Sequence, residues 1–374
     1  MRVPVKLVFF MSRATSLARW HERGMWPRET AIYRHLSQQL IGLSILTPGD
    51  KRDQHFNPSE NITILNNPRR TSANIYSLTA LWRHRHALRR ADLYKTNQMD
   101  GAWTAVLAGL VYRKPVIVRA GYLWAKYELD LNGDSVRYRI YRALSAFSFR
   151  YATHIFLTTA QMKTEVVKSY GIPAKKITIM PNYVDTTMFR SLPGVATVPG
   201  RIVFVGRLND VKNLDLLIEG MAQARSDLHG VFAGSGELKP ELKALAQRRG
   251  IDVEFLGNQP NDKLPEIVNS ASVFALVSKF EGHPKVLIEA MACKVPVLGS
   301  RVPGIKEIIN DGENGRLCEP DPADIAKILD EMMADSSQRE MLAQNGYLYS
   351  TDAFGLNHLV QSEIERYVQL TNKL

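Results

Sequence analysis

Two acidic residues in the second half of the chain are spaced in a way that suggests a binding site. Glu281 and Glu289 lie eight residues apart in the segment 280–292, which also contains Pro284. Proline fits the first turn of a helix and breaks a helix interior. We therefore predict that Glu281 lies on a loop and Glu289 inside the helix that follows. Apolar residues flank Glu289, and a carboxylate in such surroundings needs a compensating interaction.

Two cations precede these acids in the chain. Arg207 follows Gly206 at the end of a predicted strand, and Lys212 comes five residues later. A planar guanidinium and a compact ammonium at the carboxyl edge of a parallel sheet are suited to hold a diphosphate. The helix macrodipole disfavours cations near a helix start, which favours a ligand-binding role over two solvated cations. The N–H groups of Lys285 and Val286 are expected to face the same anion.

Two further segments carry weaker signals. Gly234-Ser235-Gly236 follows a predicted strand and allows close approach to a phosphate or sugar, but an ordinary tight turn explains it equally well. The segments 297–304 and 310–315 are interpreted as shaping the domain, with little direct contribution to binding.

The elements that carry these residues alternate between short β-branched runs and longer helical patterns, which predicts α/β domains with doubly wound parallel sheets. A chain of 374 residues is expected to form two domains. Ala73–Arg90 and Tyr138–Tyr151 are the clearest helices. The predicted strands are Val5–Met11, Leu43–Thr47, Asn61–Leu65, Leu93–Thr96, Val116–Arg119, His154–Leu157, Ile177–Met180, Arg201–Val205, Gly230–Ala233, Val253–Leu256, Val273–Val277, Pro296–Gly299 and Gly315–Cys318.

A stretch rich in proline and glycine at 192–200 is typical of a linker. We predict domains at 1–190 and 200–352, facing a central cleft at the carboxyl ends of their strands. The last segment, 353–374, is predicted to be a helix that packs back on the N-terminal domain.

The charge is distributed unevenly. Residues 1–200 hold 29 Lys and Arg against 12 Asp and Glu, whereas the rest of the chain holds 19 against 25. The basic half suggests an anionic partner such as the cytoplasmic membrane leaflet or a lipid diphosphate, although a solvated basic surface is an open alternative. Nucleic acid is disfavoured because no zinc-finger or RNA-binding signature is present.

Other features bear on the compartment. We expect no transmembrane helix, since the longest apolar runs fall short of the roughly 20 residues required. The apolar opening Val5–Met11 is interpreted as a buried strand rather than a signal peptide. Only Cys293 and Cys318 occur, far apart, which favours the cytoplasm and argues against a disulfide framework or a zinc site.

These residues together resemble the retaining GT-B glycosyltransferases of glycosyltransferase family 4, the glycosyl transferases group 1. The likeness rests on Arg207 with Lys212 and on the two glutamates inside EGHPKVLIEAMA. It also rests on the interdomain segments 158–162 and 180–189. It is strong over about residues 150–350 and holds only in outline for the first half.

The resemblance implies a sugar transfer from a UDP or GDP sugar to a saccharide or lipid-linked acceptor in polysaccharide or glycolipid biosynthesis. Arg207 and Lys212 are implied to neutralise the leaving diphosphate, Glu289 to bind the ribose diol, and Glu281 to contact the sugar. The donor-binding set implied by the resemblance is Gly206, Arg207, Lys212, Gly234, Glu281, Gly282, His283, Pro284, Lys285, Val286 and Glu289. No metal or other cofactor is expected.

The first half departs from the family pattern. Met11–Ser16 stands where many relatives carry a Gly-Gly pair, and Ala120–Trp124 stands where many carry a donor-site histidine. Asn97, Gln98, Arg119 and Tyr122 are candidate acceptor-side residues, with ordinary loop packing an equal alternative. The pair Glu128 and Asp130 resembles a metal-binding acid motif of another transferase fold and is interpreted as loop charge.

Two other function classes are considered. A nucleotide-sugar epimerase or hydrolase uses the same architecture without an acceptor. A nucleic-acid-binding protein accounts for the basic half but leaves Glu281 and Glu289 unexplained.

Overall fold

The computed structural model describes residues 2–69 and 71–372, apart from the side chain of Leu131. The chain divides into two compact units: Met1–Pro181 together with Leu359–Leu374, and Asn182–His358. Each unit is built around one parallel sheet.

The first unit contains a seven-stranded parallel sheet in the order β3-β2-β1-β4-β5-β6-β7. This order reverses between β1 and β4, which places a topological switch point at their carboxyl ends. Its strands are β1 Val3–Phe10, β2 Leu40–Leu46, β3 Ile62–Leu65, β4 Leu93–Thr96, β5 Val116–Ala120, β6 His154–Leu157 and β7 Ile177–Ile179.

Eight helices connect these strands and cover the sheet, as right-handed crossovers between parallel strands require. They are α1 Leu17–Glu22, α2 Trp26–Gln39, α3 Ala73–Arg83, α4 Arg85–Arg90, α5 Ala102–Tyr112, α6 Trp124–Asn132, α7 Val136–Tyr151 and α8 Ala160–Tyr170.

The helix predicted over 73–90 is therefore two helices. His84 separates them with a non-helical backbone conformation, and its ring lies 2.9 Å from the Tyr76 hydroxyl.

The second unit contains a six-stranded parallel sheet in the order β10-β9-β8-β11-β12-β13, with its switch point between β8 and β11. Its strands are β8 Arg201–Val205, β9 His229–Ala233, β10 Val253–Gly257, β11 Val273–Leu276, β12 Val297–Ser300 and β13 Arg316–Cys318. Its helices are α9 Leu214–Gln223, α10 Lys239–Arg249, α11 Leu264–Asn269, α12 Lys285–Ala292, α13 Pro303–Lys306, α14 Pro322–Ala334 and α15 Ser336–Phe354.

The boundary between the units falls at residues 181–182, before the predicted linker. Val184 and Phe189 are buried in the core of the second unit. Val184 also donates to the carbonyl of Phe354 at 2.8 Å, and Leu356 donates to that of Val184 at 3.0 Å. Apolar burial thus assigns the segment before the linker to the second unit.

The last helix, α16 Leu356–Thr371, continues from the second unit into the first. Its Glu363 forms an ion pair with Lys95 of β4, and the Tyr367 hydroxyl donates to the same carboxylate. The two charged side chains are only 2% and 1% exposed. This part of the helix is therefore anchored in the first unit, at a sheet strand 268 residues earlier in the chain.

Among the helices of the described residues, none combines the length and the apolar composition that a membrane crossing requires.

Candidate active site

The candidate site lies at the switch point of the second unit, where the loops after β8 and β11 meet. These strands are neighbours in the sheet. The amide of Lys279 donates to the carbonyl of Val211 at 2.9 Å, and the Asn213 side chain donates to that of Val277 at 3.3 Å. The two loops therefore hold each other in register at the carboxyl edge of the sheet.

Lys212 and Glu281 meet directly at this point. The Lys212 ammonium donates to Oε1 of Glu281, and the Ser278 hydroxyl donates to the same oxygen at 2.7 Å. Their side chains are 16% and 12% exposed, so the pair is largely shielded but open to a ligand. The sequence predicted that these residues share a site, and the structure brings them into contact.

Arg207 lies on the same loop as Lys212 and is exposed. It forms no ion pair with an acidic side chain in the described part of the chain. A further exposed pair, Lys279 with Asp210 at 2.6 Å, links the two loops at the surface. The loop after β8 thus presents one paired and one unpaired cation at the switch point.

Helix α12 begins at this edge, as Pro284 predicted. Pro284 is the N-cap residue, without a side-chain cap, and the first intrahelical bond runs from the Leu287 amide to the Pro284 carbonyl at 3.2 Å. The amides of Lys285 and Val286 lie in the first turn, where the N–H groups of a helix attract anions. The ammonium of Lys285 itself lies 4.0 Å from the centre of the Tyr183 ring.

His283 packs inside the second unit. It is buried, its ring meets that of Phe354 edge-on at 5.0 Å, and its carbonyl accepts from the Asn182 side chain at 2.7 Å. These contacts indicate that His283 shapes the turn before α12.

Glu289 lies inside α12, as predicted, and is only 3% exposed. Its neighbours Leu287, Ile288 and Ala290 are fully buried in the core. A carboxylate in such surroundings is costly unless it is compensated. This burial agrees with the sequence interpretation of Glu289 as an acid retained for a purpose.

The Gly234-Ser235-Gly236 turn packs on the loop after β8. Gly206 donates to the Ala233 carbonyl at 2.9 Å, and Leu208 donates to that of Ser235 at 3.0 Å. Gly234 has a φ of +143°, and a Cβ there would lie 1.8 Å from the Gly206 oxygen. A Cβ on Gly236 would lie 2.1 Å from the Leu208 oxygen. Both glycines are therefore required by the close approach of two loops, and a direct donor contact at Gly234 stays a prediction.

Replacing Gly234 by alanine is expected to lower the free energy of unfolding by about 3 kcal/mol or more, since backbone strain and overlap add. Gly257→Ala is the matched control. Gly257 also has a positive φ, +71°, but nothing lies within 4 Å of its added Cβ. It is expected to cost only about 1–2 kcal/mol. Urea denaturation measures both, and equal losses would contradict this account of Gly234.

One site-shaping segment was missed at the level of sequence. A Cβ on Gly304, at the start of α13, would lie 2.2 Å from the Gly282 oxygen and 2.3 Å from that of Glu281. The Ser300 hydroxyl donates to the Ser278 carbonyl at 2.6 Å. The segment interpreted as shaping the domain therefore supports the Glu281 loop directly. A small residue after a predicted strand end was the only available signal.

The two cysteines are not suited to covalent chemistry. Burial raises the pKa of the Cys293 thiol, and likewise that of Cys318, to about 12. At neutral pH both therefore stay protonated and weakly nucleophilic. Within the described residues no group of three or more His, Cys, Asp or Glu side chains is arranged to hold a metal ion.

The arrangement is suited to bind a diphosphate. The exposed Arg207, the Lys212–Glu281 pair and the start of α12 converge on the switch point, where ligands of doubly wound sheets bind. Cations placed here stabilise charge that develops on a departing diphosphate.

Comparison with protein-family models identifies the chain. Residues 193–349 match the model of glycosyl transferases group 1, and residues 30–188 match that of glycosyltransferase family 4. The chain belongs to the group 1 and family 4 glycosyltransferases. This confirms the resemblance that Arg207, Lys212 and the two glutamates suggested.

Individual relatives and structures agree with this assignment. An uncharacterised glycosyltransferase of Methanocaldococcus jannaschii is 28% identical over 242 residues, which cover 60% of this chain and 62% of the relative. A Campylobacter jejuni N-acetylgalactosaminyltransferase acting on a diphospho-undecaprenol-linked saccharide is 33% identical over 160 residues, which cover 42% of this chain and 44% of the relative. The chain thus spans less than two thirds of the length of these relatives.

The fold is that of GT-B enzymes. The structure of Anabaena HepE in complex with UDP and glucose superposes with a TM-score of 0.79 and 17% identity, covering 98% of this chain and all of that one. The glycosyltransferase therefore consists of two Rossmann-like units of the GT-B type.

The candidate acceptor-side residues of this glycosyltransferase lie at the carboxyl ends of β4 and β5. Gln98 accepts from the Gly121 amide at 2.7 Å, and the Asn97 amide donates to the Phe10 carbonyl at 2.9 Å. Tyr122 is exposed, and its ring lies 6.0 Å from that of Tyr127. The structure brings these residues to adjacent strand ends, and their acceptor role stays a prediction.

Arg119, the fourth acceptor-side candidate, has neighbours of a different kind. Its side chain donates to the Met180 carbonyl at 3.4 Å. Its charge also reaches the buried pair formed by Lys95 and Glu363, where it contributes to lowering the pKa of Lys95 after burial itself. Arg119 is therefore tied to the interior of the first unit as well as to its edge.

In the segment that replaces the Gly-Gly pair of many relatives, Arg13 donates to Asp100 at 2.8 Å and to Asn74 at 2.7 Å. This loop is thus held by polar contacts to the residues around α3 and α5.

Proposed function

We propose that this glycosyltransferase moves a sugar from a nucleoside diphosphate sugar to a saccharide or lipid-linked acceptor, with retention at the anomeric carbon. The observation that carries the proposal is the contact between Lys212 and Glu281 at the switch point of the second unit. It joins a cation suited to the diphosphate with an acid suited to the sugar.

The leaving group is the part of the reaction that the protein assists most. Breaking the glycosyl–phosphate bond places negative charge on the diphosphate and positive charge on the sugar. Lys212 and Arg207 neutralise the diphosphate, and the first-turn amides of Lys285 and Val286 donate to its oxygens. Since these groups are in place before the reaction, little reorganisation is needed in the transition state.

The two glutamates bind different ends of the donor. Glu289 accepts hydrogen bonds from the two ribose hydroxyls, for which a carboxylate with two oxygens is suited. Glu281, held by Lys212 and Ser278, accepts from a sugar hydroxyl and orients the reacting carbon. The acceptor then attacks from the face that the diphosphate leaves, without a bound metal.

The comparisons favour particular substrates. The HepE structure contains UDP and glucose, which makes a UDP sugar the first donor to test and a GDP sugar the second. The Campylobacter relative is named for a diphospho-undecaprenol acceptor, which supports a lipid-linked acceptor in cell-surface polysaccharide or glycolipid synthesis. The basic first 200 residues favour a peripheral position on the anionic cytoplasmic leaflet.

Donor binding provides the direct test. A UDP sugar at 100 times its dissociation constant is expected to stabilise the wild type by about 2.7 kcal/mol. Glu289→Gln keeps the shape of the side chain but removes the charge, so it is expected to weaken donor binding by about 10- to 100-fold. Thermal-shift titration with UDP and GDP sugars measures both effects.

The control is Glu237→Gln, which makes the same change on an exposed side chain of the Gly234–Gly236 turn. It should bind the donor as the wild type does. If no UDP or GDP sugar raises the melting temperature, or if Glu289→Gln binds normally, the proposed donor site is wrong. Release of free sugar at the full rate without any acceptor would instead indicate a hydrolase.

A further inference from the structure

The first unit exposes apolar side chains in an unusual concentration. Twelve of the fifteen large hydrophobic side chains exposed in the described chain lie in this unit. Several of them lie where α3, α4 and α5 end. Trp82 is 71% exposed, Leu78 64% and Val111 62%. Large apolar side chains clustered on a surface indicate an interaction site more often than scattered ones do.

These side chains form one connected surface. The Tyr112 hydroxyl at the end of α5 donates to the carbonyl of Leu81 on α3 at 2.7 Å. The guanidinium of Arg89 lies 5.9 Å from the Tyr112 ring, and that of Arg85 lies 5.2 Å from the Trp82 ring. We call the Trp82 surface the set Leu78, Trp82, Arg85, Arg89, Leu110 and Val111.

The charge around this surface has a single sign. No acidic residue occurs between Glu60 and Asp92, whereas this stretch holds six arginines. In the described chain neither Arg85 nor Arg89 forms an ion pair with a carboxylate, and both instead lie beside aromatic rings. The surface thus combines unneutralised guanidinium groups with exposed tryptophan, leucine and valine.

We propose that the Trp82 surface docks this protein on an anionic lipid bilayer. Arginines attract the negatively charged headgroups, while Trp82 and the aliphatic side chains enter the boundary between headgroups and acyl chains. This inference specifies the surface that serves the membrane association in the proposed function and rests on that part of it.

Charge complementarity favours this partner over two others. A second copy of the chain joined through a two-fold axis would bring the arginines against themselves, which is unfavourable. A nucleic acid would satisfy the arginines but would leave Leu78, Leu110 and Val111 exposed to water or against polar phosphates. Only the bilayer accepts both the cations and the aliphatic side chains.

Vesicle sedimentation at low salt tests the proposal on the full chain. The wild type is expected to sediment with phosphatidylglycerol-containing vesicles and to remain in the supernatant with pure phosphatidylcholine. Arg85→Gln/Arg89→Gln is expected to weaken binding roughly 10- to 30-fold, from about tenfold or less per charge. Leu78→Ala/Trp82→Ala is expected to weaken it about tenfold or more.

Matched controls lie in the second unit. Lys243→Gln/Arg248→Gln removes two cations from α10, and Leu348→Ala removes an exposed leucine from α15. Both should bind vesicles as the wild type does. Equal losses in the control variants, or equal recovery of the wild type on neutral and anionic vesicles, would overturn the proposal.

Two further measurements separate the possible outcomes. Light scattering reports the oligomeric state, and a dimer that the surface variants convert to monomers with unchanged vesicle binding would assign the surface to a second copy. Thermal shift with the UDP sugar should be unchanged in all variants, because the Trp82 surface is outside the donor site. Failure of the donor site thus appears in the titration alone, and failure of this inference appears in sedimentation alone.

Discussion

Lys212→Ala is expected to lower the turnover number for sugar transfer by roughly 10²–10³-fold, with the fold retained. Its ammonium is the one cation that contacts Glu281 in the described site, and it lies where the diphosphate charge develops. Initial rates at saturating donor measure the effect. Because the charge matters more in the transition state than in the bound donor, the Michaelis constant should change less than the turnover number.

The control for this prediction is Lys279→Ala. Lys279 belongs to the same pair of loops, but its ammonium pairs with Asp210 at the surface, and its loop-joining contact is made by the backbone. Its turnover number should stay within about threefold of the wild type, since exposed ion pairs contribute little. The assignment of Lys212 is wrong if both variants transfer sugar equally well.

The alanine variant also leaves Glu281 without its ammonium partner. A loss of stability therefore has to be separated from a loss of catalysis. Lys212→Ala/Glu281→Gln removes both charges. It should melt close to the wild type and still transfer sugar poorly, whereas recovery of activity in this double variant would indicate a purely structural pair.

The second large effect concerns stability. Lys95→Met is expected to lower the free energy of unfolding by about 3–5 kcal/mol, because it leaves the buried carboxylate of Glu363 uncompensated. Both side chains of the pair are almost fully buried. Lys95→Met/Glu363→Leu removes the two charges together and is expected to recover most of that loss. Urea denaturation of the four members of this double-mutant cycle measures the coupling.

Lys126→Met is the matched control for the same substitution. Lys126 pairs with Asp130 at 3.3 Å on α6, and both side chains are more than 40% exposed. The change should cost less than about 1 kcal/mol. Comparable losses for the two lysines, or a double variant no more stable than Lys95→Met, would show that the buried pair does not hold α16 as described.

The local elements of both units could be predicted closely. All thirteen predicted strands are present with ends shifted by a few residues at most. They were recognisable because a buried parallel strand is a short β-branched run bounded by polar or turn residues. Helix α12 began where Pro284 indicated, because proline restricts its own backbone and lacks an amide hydrogen.

Other elements left weak local signals. Helix α15 was not predicted, since its apolar residues follow no helical period clear enough to separate it from loop. The break at His84 was also missed, because no proline or glycine marks it and the contact with Tyr76 is what accompanies it. In both cases packing decided what propensity left open.

Within the candidate site, the residue types were visible from the sequence and the contacts were not. The cations and acids stood out through their spacing around strand ends and Pro284. The supporting residues Ser278, Ser300 and Gly304 have types that are common in any loop. Their roles depend on which loops meet, which follows from the order of strands in the sheet.

The sequence by itself determined the α/β class, the family resemblance and the residues that bind the donor in the proposed mechanism, because these depend on local spacing and residue chemistry. Only the tertiary structure decided that Lys212 meets Glu281 across 69 residues and that Lys95 meets Glu363 across 268. The physical reason is that such contacts depend on strand order and on helix docking. Those arrangements are set by the burial of the whole core, and no short segment encodes them.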